Sequence, residues 1–178
     1  MAGHSAGGQY VQRWALLSGV QPRRLDVRTV VANPRSFCFL DDRRFVNGTF
    51  RVPPVDLVAA CPDYNAWEWG LDNTANRLPT PYKDRAIVAA GGTDAVVQRY
   101  QTRQVVCLAG ELDLDESGNC RAMFQGKSRR ERSQHFMASL RYIYGRPAHH
   151  RLVVHGVHHD HCLMFQSPEG RQALFGLK

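Results

Sequence analysis

Two short runs, Gln104–Ala109 (QVVCLA) and Leu152–His155 (LVVH), are apolar at nearly every position and are separated by one long amphipathic stretch. A strand with one wet face alternates apolar and polar side chains, so unbroken runs of this kind read as strands buried on both faces. Between them, Phe136, Met137, Leu140, Ile143 and Tyr144 recur at helical spacing, and Gly145 follows as a stop, which predicts a helix over 129–144. Strand, helix, strand with buried strands is the signature of a parallel sheet covered by helices. Upstream, Val27–Ala32 reads as another β-branched strand closed by Asn33-Pro34, and residues 7–17 read as a short amphipathic helix ended by Gly19. The expected fold class is therefore α/β.

Residues 37–90 break this rhythm, being rich in Pro, Asp and aromatic residues with little period. Such a stretch could not build its own core, so it reads as an insertion between the first two strands rather than a second domain. The whole chain, 178 residues and 20.1 kDa, is expected to form a single domain over 1–178. With 43% apolar and 22% charged residues the chain lies in the globular range, and no apolar run reaches the ~20 residues needed to span a bilayer. The net charge of +7 is carried by short, separated pairs, Arg23-Arg24, Arg43-Arg44 and Arg129-Arg130, which read as dispersed solvated arginines rather than a nucleic-acid surface. The five cysteines are odd in number and include no Cys-x-x-Cys pair, which argues against a disulfide scaffold or a zinc ribbon and leans toward a reducing compartment. Cys61 and Cys120 both fall in loops at the edge of the candidate site, which leaves a disulfide between them open.

The chemistry concentrates in three places. Gly3-His4-Ser5-Ala6-Gly7-Gly8 carries G-x-S-x-G directly before a helix, a pattern that projects a serine hydroxyl from a tight turn and sets the helix N-terminus where negative charge would develop. Gly110-Glu111-Leu112-Asp113-Leu114-Asp115 follows one buried strand, and Gly156-Val157-His158-His159-Asp160-His161 follows the other. Both clusters lie beyond the carboxyl ends of strands, where open α/β sheets place their sites, and the order serine, acid, histidine is that of a hydrolase triad. Six of the eight histidines lie between His149 and His161, which raises a zinc alternative built from His155, His159, His161 and Cys162. Their spacing fits no ligand motif, and a histidine on this loop is already required by the triad.

These motifs resemble the α/β-hydrolase family, from GHSAGG through VVCLAGELDLD to VVHGVHHD. The segments CPDYNAWEWGL, MFQG and QALFG are also similar to those of a group of bacterial and fungal serine hydrolases of this fold. The resemblance implies Ser5 as nucleophile, Asp113 as acid and His159 as base, with the amide of Ala6 in the oxyanion hole. Asp115 is the rival acid and His158 the rival base, whereas Glu111 and His4 suit structural roles. It also implies that 37–90 is cap-like, with Tyr64, Trp67 and Trp69 shaping a substrate pocket, although each could equally pack the insertion onto the body. The expected partner is a small-molecule ester or acyl substrate, with neither metal nor cofactor. The family places five strands before the elbow and takes its second oxyanion amide from among them, so the chain is expected to be the later half of such a fold. On that basis its three strands would leave 27–32 as an open edge prone to self-association. The alternative from another class is a non-catalytic remnant that serves as an association module.

Overall fold

The computed structural model describes residues 1–19, 27–72 and 81–176. In chain order the elements are β1 (Ala2–His4), α1 (Ala6–Leu17), β2 (Arg28–Ala32), β3 (Arg44–Val46), β4 (Thr49–Arg51), α2 (Val55–Ala60), α3 (Pro81–Ala90), α4 (Thr93–Gln101), β5 (Gln104–Gly110), α5 (Cys120–Gln125), α6 (Arg129–Tyr144), β6 (His150–Val154), α7 (His161–Gln166) and α8 (Pro168–Phe175). The main sheet has the order β1-β2-β5-β6 with every pair parallel, and β3-β4 is a separate antiparallel hairpin.

The period of two explains why Val30–Ala32 of β2 and Val105–Ala109 of β5 are apolar at every position. Val31, Val105 and Cys107 point to one face, and Val30, Ala32, Val106 and Leu108 to the other, all buried. On the first face they meet α1, α4 and α6 through Leu16, Tyr100 and Phe136; on the second they meet α7 and α8 through Met164 and Ala173. The chain thus has a central parallel sheet with helices on both faces. Helix α6 starts where Ser128 Oγ accepts from the Glu131 amide and Glu131 reaches back to the Lys127 amide, and it ends at Gly145 with φ of 71°.

Three expectations change here. The sheet has four strands, because Ala2–His4 pairs with Val30–Ala32 and the Met1 carbonyl accepts from the Val30 amide. The open edge expected at 27–32 is therefore covered, and among the described residues the outer sides of β1 and β6 lack a strand partner. Next, not all the arginines are solvated. Arg44 is fully buried, its guanidinium lying over Phe39 (4.3 Å) and Tyr64 (5.0 Å) and donating to Asn65 Oδ1 and to the Asp41 and Arg43 carbonyls. Burial lowers its pKa to about 10, so it keeps its charge at neutral pH. Arg132 is also buried and donates to the carbonyls of Gly126 and Lys127; Arg23-Arg24 lies outside the described residues. Finally, Cys61 and Cys120 form a disulfide that joins the end of α2 to the start of α5 across 59 residues. A bond of this kind persists in oxidising surroundings.

The start of the 37–90 stretch is anchored in the core. Phe37 and Phe39 are sealed in the core, with Phe37 stacked on Phe136 at 4.4 Å. Gln125 ties the segment down, accepting from the Phe37 amide and donating to the carbonyls of Phe37 and Trp69. No helix among the described residues is long and apolar enough to cross a membrane.

Candidate active site

The turn between β1 and α1 sets Ser5 apart from an ordinary helix cap. A serine at this position usually spends its oxygen on an amide of the first turn. Here Ser5 has φ of 54° and ψ of −117°, and its side chain makes no capping bond. Such a conformation costs on the order of 1–3 kcal/mol and must be imposed by its surroundings. The Ser5 amide donates to the Ala32 carbonyl at 2.9 Å, which anchors the turn to the end of β2. Two glycines permit it: a Cβ on Gly3 would lie 2.3 Å from the Gly7 carbonyl oxygen, and one on Gly8 would lie 2.8 Å from that of Ala32. Gly7, the last glycine of the motif, meets nothing, so Gly8 beyond the motif carries the close approach.

The acid and the histidine meet at the other side of the site. His159 Nδ1 lies 2.7 Å from Asp113 Oδ2, and the second carboxylate oxygen accepts from Arg129 Nη1 at 3.1 Å. The Asp113 side chain is fully buried, so both oxygens depend on these partners. With Nδ1 turned to the carboxylate, His159 Nε2 is left for other work. Asp115 has an 82% exposed side chain and contacts Arg129 at 3.6 Å. The His158 side chain is exposed and only its carbonyl is engaged, by Asn33. Glu111 accepts from the Gly156 amide, a bond that lowers its pKa, and faces His155 at 3.4 Å.

Asn33, which the sequence marked only as a strand stop, organises this corner. It is buried, holds φ of 41°, accepts from the Gly110 amide at 2.8 Å and donates to the His158 carbonyl at 3.2 Å. One side chain therefore joins the end of β2 to both the acid loop and the histidine loop. Those loops are also zipped directly, with the Leu112 amide on the Val157 carbonyl. Gly110 lets them close, since a Cβ there would lie 2.6 Å from the Val157 carbonyl oxygen. The signal for Asn33 was its tolerance of positive φ, which distinguishes it from most residues that end a strand.

His4 links the two halves. Its ring sits 4.5 Å from that of His159, and burial together with the neighbouring histidines lowers its pKa to about 4, which keeps it neutral beside the base. Of the three pocket candidates, only Trp67 lines a cavity, of about 400 Å³, that begins at Ala6. Tyr64 and Trp69 are buried instead, Tyr64 stacking on Phe124 and donating to the Asp42 carbonyl. The four proposed zinc ligands are not gathered: His155 faces Glu111 and His159 faces Asp113. Asp160, His161 and Cys162 do cluster at the exposed start of α7, but Asp160 is engaged as its N-cap.

No family model matches the chain, and no curated protein matches it in sequence. In three dimensions it is similar to poly(aspartic acid) hydrolase-1 from Sphingomonas sp. KT-1, with a TM-score of 0.60 and 23% identity, over 93% of this chain and 51% of that one. It is also similar to LpqC, a poly(3-hydroxybutyrate) depolymerase from Bordetella parapertussis, with a TM-score of 0.57 and 21% identity, over 97% of this chain and 51% of that one. The chain has the α/β fold of these α/β-hydrolase-type structures and spans about half their length.

Proposed function

We propose that the chain carries the triad of a serine hydrolase that cleaves carboxylic esters through an acyl-enzyme. The observation that carries this reading is the 2.7 Å contact between His159 Nδ1 and the buried Asp113 carboxylate, beside a serine turn that leaves its hydroxyl uncapped. Ser5 Oγ attacks the ester carbon while His159 Nε2 takes its proton. Asp113 remains ionised, fixes the imidazole tautomer and stabilises the imidazolium. The Ala6 amide, first of α1, donates to the carbonyl oxygen as it becomes negative. His159 then returns the proton to the departing alcohol oxygen, and water repeats the sequence to release the acid. The names of the two similar proteins, a poly(aspartic acid) hydrolase and a poly(3-hydroxybutyrate) depolymerase, support hydrolysis as the reaction class, and the second names a polyester. In this reading 1–178 is one catalytic unit and 37–90 its cap-like insertion.

A second reading rests on the unpaired outer side of β1. As a non-catalytic association module, the chain would use that edge to pair with another strand, including one from a second copy. A fluorophosphonate probe separates the two. Labelling that is lost in both Ser5→Ala and His159→Ala supports the hydrolase; a wild-type chain that stays unlabelled while forming dimers on size-exclusion chromatography supports association.

A further inference from the structure

The cavity that begins at Ala6 is lined by Tyr10 and Trp14 from α1, Trp67 from the insertion and Tyr82 from α3. Four aromatic side chains thus converge within about 400 Å³, inside the size range of ligand pockets, one residue from the proposed nucleophile. The wall is preorganised. Arg13 donates through Nε and Nη2 to the Glu68 carbonyl at 3.1 and 2.9 Å, and through Nη2 to Ser36 Oγ at 3.0 Å, while that hydroxyl donates to Gln9 at 2.7 Å. These bonds fasten the Trp67-Glu68 segment to α1. They also engage the guanidinium inside the wall, so aromatic rings dominate what the lining offers a ligand.

The position of the cavity says which half of an ester enters it. His159 must give a proton to the departing alcohol, so that group lies against the histidine loop. Among the described residues, the cavity is lined by none from the loops bearing Asp113 or His159. The group it holds therefore leaves the carbonyl carbon on the opposite side. We infer that this cavity is an acyl subsite for arylalkanoyl groups, formed by Tyr10, Trp14, Trp67 and Tyr82; the inference rests on the Ser5 reading above.

The test uses the full chain with p-nitrophenyl 3-phenylpropionate and p-nitrophenyl acetate, together with free 3-phenylpropionate followed by tryptophan fluorescence. Trp14 and Trp67 line the cavity, so binding there should quench emission, and Ser5→Ala should quench equally while losing turnover. Trp67→Ala should lower the ratio of kcat/KM for the arylalkanoyl over the acetyl ester about 10-fold. Because Trp67 also packs against the core, Tyr10→Ala, at a side chain 68% exposed, is the companion variant and should lower that ratio about 3-fold. An unchanged ratio in both variants, with turnover still dependent on Ser5, would overturn the subsite alone. Turnover that survives Ser5→Ala would overturn the hydrolase assignment instead. Where no ester is turned over, millimolar 3-phenylpropionate that leaves the fluorescence unchanged also overturns the subsite.

Discussion

The two halves of the site are held very differently. The acid and histidine sit on loops from the adjacent strands β5 and β6, joined by Asn33, by the Leu112–Val157 bond and by the Glu111–Gly156 bond. Ser5 follows a strand of three residues at the sheet's edge, and its turn is anchored by one amide to Ala32. The first half is a cross-braced corner that can hold a buried carboxylate against a histidine. The second is a strained turn whose placement depends on whatever steadies β1. In the proposed triad the acid and base would keep their orientation while the nucleophile stays reachable, and this difference in bracing suits those roles.

Breaking the braced corner at its centre should have the largest effect. Asp113→Asn would leave the imidazole in the wrong tautomer and should lower kcat for ester hydrolysis on the order of 10⁴-fold, whereas Asp115→Asn should change it less than about 3-fold. Steady-state kinetics of the two variants would check this, and comparable losses would show that the acid role is shared.

A smaller effect is expected from Asn33→Asp, which keeps the acceptor for the Gly110 amide and tolerates positive φ but cannot donate to the His158 carbonyl. We expect kcat to fall roughly 10-fold with KM little changed, because the base is displaced while the acyl cavity is untouched. Circular dichroism should report an intact fold. Wild-type kcat in this variant would mean that the loop-to-loop bonds alone suffice.

The histidine at the far end of β6 sharpens the contrast. His149 is buried between Tyr100 and Tyr144 with no hydrogen bond to either ring nitrogen, and burial lowers its pKa from 6.5 to about 4. A depressed histidine pKa leaves stability intact above pH 6.5 and erodes it as pH falls toward 4, because the unfolded chain takes up the proton first. The erosion should approach about 3 kcal/mol. Thermal melts at pH 7 and pH 4.5 should therefore show a smaller acid-induced drop in Tm for His149→Phe than for wild type, and equal drops would assign the acid sensitivity to other groups.

Much of this was legible in the chain itself. Continuous apolar runs located β2, β5 and β6, and the helical spacing between the last two located α6, although in β6 only Val154 is buried. The loops after β5 and β6 located Asp113 and His159, since strand ends in a parallel sheet point to one edge. Other features had no local signature. A three-residue strand such as Ala2–His4 is too short to show a period, and its existence depends on pairing with Val30–Ala32. Arg44 looked like surface charge because a sequence does not show the ring faces and carbonyls that gather around a buried guanidinium.

The sequence by itself determined which residue types could do the chemistry and in what order they occur, because side-chain chemistry and strand periodicity are local properties. Only the tertiary structure decided that Asp113 rather than Asp115 turns toward His159, that Cys61 reaches Cys120, and that Trp67 lines the cavity beginning at Ala6 while Tyr64 and Trp69 are buried. Each of those choices is made between groups alike in chemistry and close in sequence. What separates them is which side of the chain faces the core, and that is set by contacts with residues far away in sequence.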